Sequence, residues 1–398
     1  MEWIFLIVWL LIINGALGGQ YVLNWMGNQE RFAGKAEITP GIMTWWREIS
    51  KFMWALIAVI MEVVRGKELR YLWPGLLSMV TLVICAFTGV IENIGFFYLP
   101  RYYSPHVFAP YVNVYLVFLP FFGKLLFNAP IRKEHWIGIT LVVIGLSIPH
   151  VEVLFSAHRD PRTILDTSAI VWIIIINICL CTQQILNNKT VQTALQGVGA
   201  NALVLWREIW KLLFISSAII IFPLIANALR VHIPATVPAE KFETVLIVNP
   251  KLDSLDRMTL QQNYVKTNDQ YVLKNDIAPQ TQEAIKKDFI KADYSRFFSL
   301  FEGKLFPNNW LPILFVVAAG LTGYIYSFGF FKLSKFAAHF WVPYTNIYFA
   351  ILPFIMLLFG ENVNRYQIIG AAVLTLGLIV GVSDHSKNKV EEIEKKNK

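Results

Sequence analysis

Two stretches far apart in this chain carry the same polar residues in the same order inside otherwise apolar sequence. His106-x3-Pro110-Tyr111-x-Asn113-Val114-Tyr115-x3-Leu119-Pro120 is matched by His339-x3-Pro343-Tyr344-x-Asn346-Ile347-Tyr348-x3-Leu352-Pro353. Further pairs follow at matching places. Trp9, Asn14, Gln20, Leu23 and Asn24 align with Trp172, Asn177, Gln183, Leu186 and Asn187, and Trp46-Arg47-Glu48-Ile49-Ser50-Lys51 aligns with Trp206-Arg207-Glu208-Ile209-Trp210-Lys211. Gly95-Phe96-Phe97 matches Gly329-Phe330-Phe331, and Gly138-x6-Gly145-Leu146 matches Gly370-x6-Gly377-Leu378. An apolar solvent selects only for apolarity, so shared polar residues in register identify a duplication, and the chain must fold as two like units.

That solvent is lipid. Only 16% of the 398 residues are charged and 56% are hydrophobic, whereas soluble domains carry about a quarter charged residues. About 20 apolar residues cross the hydrocarbon core, and ten segments qualify: 3–25, 44–64, 75–99, 106–127, 135–154, 168–188, 201–228, 310–332, 336–358 and 366–384. Residues 1–18 read as span 1 and not as a cleaved leader, because no Lys or Arg precedes Arg31. The three cysteines, Cys85, Cys179 and Cys181, lie within spans. They read as small buried residues, so no metal site or cofactor is expected. The formal charge of +8 sits in loops and tail, which points to positive-inside bias and not to nucleic acid.

Five spans per half is an odd number, so the second half enters the membrane from the opposite side. The expected fold is all-α and polytopic, ten transmembrane helices in a 5+5 inverted repeat, an arrangement used by many secondary transporters. Residues 1–155 form the first repeat, and 165–229 with 309–385 form the second. Residues 230–308 are an insertion between spans 7 and 8, with an amphipathic helix expected over 280–306, and 386–398 form a basic tail. The excess of Lys and Arg in the short loops on the side of the termini places both termini in the cytosol and 230–308 outside it.

Candidate substrate residues follow from polar side chains in apolar spans, which usually face the bundle interior. On a helix His106, Pro110 and Asn113 form one stripe, as do His339, Pro343 and Asn346. Tyr111 and Tyr115, with Tyr344 and Tyr348, flank those stripes and suit stacking on a planar ligand, or plain packing. Gln20 and Gln183 are donors on spans 1 and 6. Arg47 and Lys51, like Arg207 and Lys211, share a face four residues apart, where like charges repel. Compensation must come from an anionic substrate, from lipid head groups, or from Glu48 and Glu208 reaching back or across. In an inverted pair the two clusters are expected at opposite mouths. Glu92, a carboxylate well inside span 3 with Tyr326 as its counterpart, is a candidate coupling site. Interfacial snorkelling and interhelical hydrogen bonding are the structural alternatives for these groups.

The run through Pro343, Pro353, Gly360-Glu361, Gly370 and Gly377-Leu378, with Arg47 and Arg207 in the second span of each half, resembles the EamA-type repeat of the drug/metabolite transporter superfamily. The first half departs from it, having Asn128 where Glu361 aligns. The resemblance implies ten helices with a central cavity lined by spans 1–4 and 6–9. Eukaryotic members of similar size belong to the solute carrier family 35 group, which includes nucleotide-sugar antiporters. Lys395 and Lys396, fourth and third from the end, resemble a dilysine signal read by coat proteins, which implies an endoplasmic reticulum or Golgi membrane.

The expected function is therefore carriage of a small organic metabolite by alternating access, a nucleotide sugar or other organic anion. The alternatives are a proton- or cation-coupled carrier of neutral or cationic solutes through Glu92, and a non-transporting scaffold acting through 230–308. No Walker loop, zinc-protease helix or nucleophile elbow is present, and an enzyme is not expected.

Overall fold

The structure is a computed structural model. It describes residues 2–34, 38–116, 121, 133–155, 165–228, 230–231, 236–238, 264–267, 270–273, 290–291, 297–334, 345 and 347–380. Five described helices are long and apolar enough to cross a membrane, over Ile4–Asn28, Leu76–Arg101, Thr167–Thr193, Ala200–Ala228 and Leu311–Leu333. The chain is thus a mostly helical, membrane-embedded protein. Apolar side chains face outward, Leu11 at 69% exposure and Leu224 at 67%, while Arg47, Glu48, Lys51, Arg207, Glu208 and Lys211 are buried. That inversion suits lipid surroundings.

The principal helices are α1 (Glu2–Asn28), α2 (Pro40–Val64), α3 (Leu76–Tyr98), α4 (Lys133–Phe155), α5 (Thr167–Thr193), α6 (Ala200–Ala228), α7 (Leu311–Leu333), α8 (Tyr348–Leu358) and α9 (Arg365–Val380). Local chemistry sets several starts. Pro40 opens α2, where its missing N–H costs nothing. The Asp166 carboxylate caps α5 by accepting from Ala169 N at 2.7 Å.

Contacts come in reciprocal pairs that exchange the two sequence halves. Helix α1 packs on α7 and α3 packs on α5, while α4 packs on α9. Trp46 Nε1 donates to Leu305 O at 2.8 Å, and Trp206 Nε1 donates to Leu72 O at 2.7 Å. Arg47 lies over the Phe97 ring at 5.6 Å, and Arg207 over Phe331 at 5.3 Å. The α4–α9 seam depends on two glycines. A Cβ on Gly145 would stand 2.6 Å from Leu374 N, and one on Gly377 would stand 2.8 Å from Gly138 O. Any side chain there would force the helix backbones apart.

Two expectations need correction. His106, Pro110 and Asn113 do not lie on one continuous helix. The chain makes a short helix over Pro105–Phe108 and a 3-10 turn over Tyr111–Asn113. Pro110 at the junction lacks an N–H and cannot continue the ladder. The amphipathic helix expected over 280–306 is not continuous through the described part of that segment, where only 297–298 are α-helical. Ile290–Lys291 is a strand and Ser299–Phe301 a 3-10 turn.

The contacts divide the chain into two units, Met1–Ile215 with Leu305–Lys398, and Ser216–Lys304. Within the second, β1 (Arg230–Val231) pairs antiparallel with β5 (Ile290–Lys291). A separate antiparallel sheet has the order β2 (Thr236–Pro238), β4 (Gln270–Leu273), β3 (Tyr264–Thr267). Phe222 packs against Phe297, Phe298 and Phe301 in the same unit.

Candidate functional site: a crossed charge cluster beside a central cavity

The two Trp-Arg-Glu segments, expected at opposite mouths, meet each other. Lys51 Nζ stands 3.4 Å from Glu208 Oε1, and Lys211 Nζ stands 3.6 Å from Glu48 Oε2. Each carboxylate also serves its own helix. Glu48 lies 3.3 Å from Arg47 Nε and 3.3 Å from Lys51 Nζ. Glu208 lies 2.8 Å from Arg207 Nη2 and 3.9 Å from Lys211 Nζ. All six residues are 0–3% exposed. The glutamates thus reach both back and across, and they supply the compensation that the paired cations require.

Glycines make room for the lysines. A Cβ on Gly323 would meet Lys51 Cδ at 3.2 Å and Gln20 Oε1 at 3.1 Å. In the other half the equivalent Gly89 faces Lys211 and Gln183 in the same way. The cluster is not fully symmetric. Asn93 accepts from Arg47 and donates to Glu48 Oε1 at 2.6 Å, whereas its counterpart by alignment is Ser327.

A cavity of about 50 Å³ opens beside the cluster. Its walls come in pairs: Leu17 and Leu180, Gln20 and Gln183, Arg47 and Arg207, Lys51 and Lys211, Phe96 and Phe330, Tyr115 and Tyr348. Glu92 faces it too, opposite its counterpart Tyr326, and accepts a hydrogen bond from Gln183 Nε2. Around the cavity, Arg47 Nη1, Gln184 Oε1 and Asn187 Oδ1 are buried without a hydrogen-bond partner among the described residues. Water in the cavity, or a ligand that accepts from Arg47 and donates to the two amide oxygens, would satisfy them.

Backbone beside the cavity is held by asparagines that sequence reasoning aligned but did not select. Asn177 Oδ1 accepts from Tyr115 N at 2.6 Å, while its Nδ2 donates to Tyr111 O at 2.8 Å. Asn14 Oδ1 accepts from Tyr348 N at 2.9 Å. One part-buried asparagine in each half thus satisfies a backbone N–H, at Tyr115 or at Tyr348, and Asn177 also takes Tyr111 O.

The structure places the sequence candidates unevenly. Gln20, Gln183, Arg47, Lys51, Arg207, Lys211, Glu92, Tyr115 and Tyr348 share the cavity. Tyr111 donates its hydroxyl to Leu146 O at 3.1 Å and packs toward α4. His106 is buried in its short helix and does not line the cavity. The side chain of Asn113 lies outside what is described, as do residues His339, Tyr344, Asn346, Lys395 and Lys396. The three cysteines are free and buried. Asn93, Gln184 and Asn187 were missed, although the matching pair Asn24 and Asn187 was visible in the repeat.

No family model and no curated protein matches the chain. Among solved structures, one described only as the crystal structure of a protein superposes with a TM-score of 0.47 at 11% identity. It covers 92% of this chain and 96% of its own, a similarity too low to bear on fold or function.

Proposed function

We propose that this protein is a secondary carrier of a small organic anion, working by alternating access between two five-helix halves of inverted topology. The observation that carries the reading is the cavity whose walls are drawn in matched pairs from both halves. Exchange of the two halves' conformations leaves such a site chemically unchanged while its exposure switches sides. Four cations, Arg47, Lys51, Arg207 and Lys211, surround it. Two of the available carboxylates are already engaged in ion pairs, so the site favours an anion. Paired aromatics, Phe96 with Phe330 and Tyr115 with Tyr348, suit the organic part of such a ligand.

At about 50 Å³ the cavity holds a water or two, each with a share of about 30 Å³, and is far below the roughly 300–1,000 Å³ of ligand pockets. The site is thus too narrow for a metabolite as it stands, and helix movement must enlarge it before one enters. The resemblance to the drug/metabolite transporter superfamily fits this reading and suggests nucleotide sugars for the first substrate panel.

The test is uptake by the full-length protein in proteoliposomes, screened across nucleotide sugars, phosphorylated metabolites, carboxylates, amino acids and amines. Accumulation or exchange of an anion that Lys211→Met or Arg207→Met reduces at least tenfold is expected. Failure to move any solute, with the protein folded, would sink the reading.

A further inference from the structure

We propose that the site takes a doubly charged anion together with one proton, and that Glu92 is the carboxylate that binds the proton. The inference rests on the carrier reading and specifies its substrate class and coupling ion.

The charge pattern has two lobes. Arg47, Glu48 and Lys51 form one, and Arg207, Glu208 and Lys211 the other. Each lobe has two cations and one carboxylate, a formal excess of one positive charge. The crossed pairs, Lys51 with Glu208 and Lys211 with Glu48, join the lobes without changing that sum. Two like excess charges on matched walls of one cavity are complemented by a ligand with two negative charges.

Glu92 breaks the match. It is the one cavity carboxylate without a counterpart in the other half, where Tyr326 stands. It differs from Glu48 and Glu208 in its contacts as well. Those two are fully buried and held by two or more cations, whereas Glu92 is half-buried, and its hydrogen-bond partner among the described residues is the Gln183 amide. No cation of the cluster lies within ion-pair distance of it.

The groups facing Glu92 come from every neighbouring element. Lys211 and Arg207 approach from α6, Arg47 and Lys51 from α2, Tyr326 from α7. Tyr115 follows α3 in sequence, and Cys179 lies on α5 beside Gln183. The cations are the only strong electrostatic partners in that set, and they are the groups a ligand would claim.

Ionised Glu92 therefore offsets one of the two excess charges in the empty site. When a dianion enters, it claims both, and ionised Glu92 becomes a surplus negative charge in the cavity. Uptake of one proton by its carboxylate restores neutrality, Glu92–COO⁻ becoming Glu92–COOH. Release of dianion and proton on the other side returns the starting state. A monoanion needs no proton, because ionised Glu92 and one negative charge already balance the lobes.

The experiment uses the full-length protein in proteoliposomes with the membrane potential clamped at zero. Sulfate and succinate serve as dianion probes that carry no titrating proton at mildly alkaline pH, with lactate and gluconate as monoanion probes. The expected result is dianion accumulation rising about tenfold per unit of pH gradient, acid on the side of entry, with parallel proton flux reported by a trapped dye. In Glu92→Gln, dianion uptake at any rate is indifferent to the gradient and moves no protons. In detergent, mixing wild-type protein with the dianion draws about one proton per binding site, by the one-proton scheme, and the variant draws none. Dianion uptake without proton flux, proton coupling that persists in Glu92→Gln, or transport of monoanions alone would overturn the proposal while leaving the carrier. No transport of any solute would remove both.

Discussion

Neutralising Glu208 tests the central cluster most directly. In Glu208→Gln the side-chain volume is kept, but Arg207 at 2.8 Å, Lys51 at 3.4 Å and Lys211 at 3.9 Å lose their shared carboxylate. Glu48 alone then faces four cations, all at most 3% exposed. Removing one partner of a buried pair costs about 3–5 kcal/mol, chiefly because the survivor is left charged and dry. Exposed pairs cost at most about 1 kcal/mol, so the two regimes are well separated. Unfolding of purified protein in mixed micelles, titrated with a denaturing detergent, measures the difference. Lys51→Met combined with Glu208→Gln should recover roughly 1–3 kcal/mol as coupling between contacting residues. Glu48→Gln should resemble Glu208→Gln, its amide oxygen still accepting from Asn93. A Glu208→Gln stability within about 1 kcal/mol of wild type, or no coupling in the double variant, would show that the cluster is hydrated and that the crossed pairs do not join the halves.

Asn177→Ala and Asn14→Ala should each destabilise by about 1–3 kcal/mol, because Tyr115 N and Tyr348 N lose their acceptors; unchanged unfolding in the same titration would mean that these amides find other partners. Gly145→Ala should cost roughly 1–3 kcal/mol by overpacking the α4–α9 seam. Gly15→Ala, with nothing within 4 Å of the new methyl, should be neutral or stabilising by up to about 1 kcal/mol; equal losses at both sites would contradict the packing account. Arg31 pairs with Glu361, which also accepts from Ser104, and the Trp25, Phe32 and Phe359 rings pack beneath that ion pair. If this contact is a gate, joining cysteines at 31 and 361 with a short bifunctional reagent should stop transport reversibly, and full uptake by the joined protein would exclude it.

Much of this was legible in the sequence because lipid leaves few polar residues to read. The matched pairs Gln20 with Gln183 and Lys51 with Lys211 do share one cavity. Their positions along the helices were less legible. A hydropathy window trims Pro40–Met43 from span 2 and so puts Arg47 at a mouth, whereas α2 starts at Pro40 and carries Arg47 about two turns inside. The stripe of His106 and Asn113 assumed an unbroken helix. Pro110 permits a kinked helix or a break, and the choice depended on Asn177, an amide from another helix that takes over the freed backbone groups. Such a tertiary contact leaves no local pattern. The short strands described within 230–308 were hidden for a similar reason, since two- to four-residue strands are too short for a periodic signal.

The crossed ion pairs also bear on how the chain is made. Glu48 and Lys51 leave the ribosome about 160 residues before Glu208 and Lys211 exist to meet them. During that interval Arg47, Glu48 and Lys51 of α2 are suited to neither lipid nor an unfinished bundle. Glu48 has Arg47, Lys51 and Asn93 as partners in its own half, but Lys51 waits for Glu208, so the first half is expected to mature late. The expectation is that it stays sheltered by the insertion machinery until α6 arrives and the crossed pairs form. A nascent chain truncated before residue 200 should stay bound to that machinery or be degraded, and the same half supplied with the second as a separate polypeptide should be rescued.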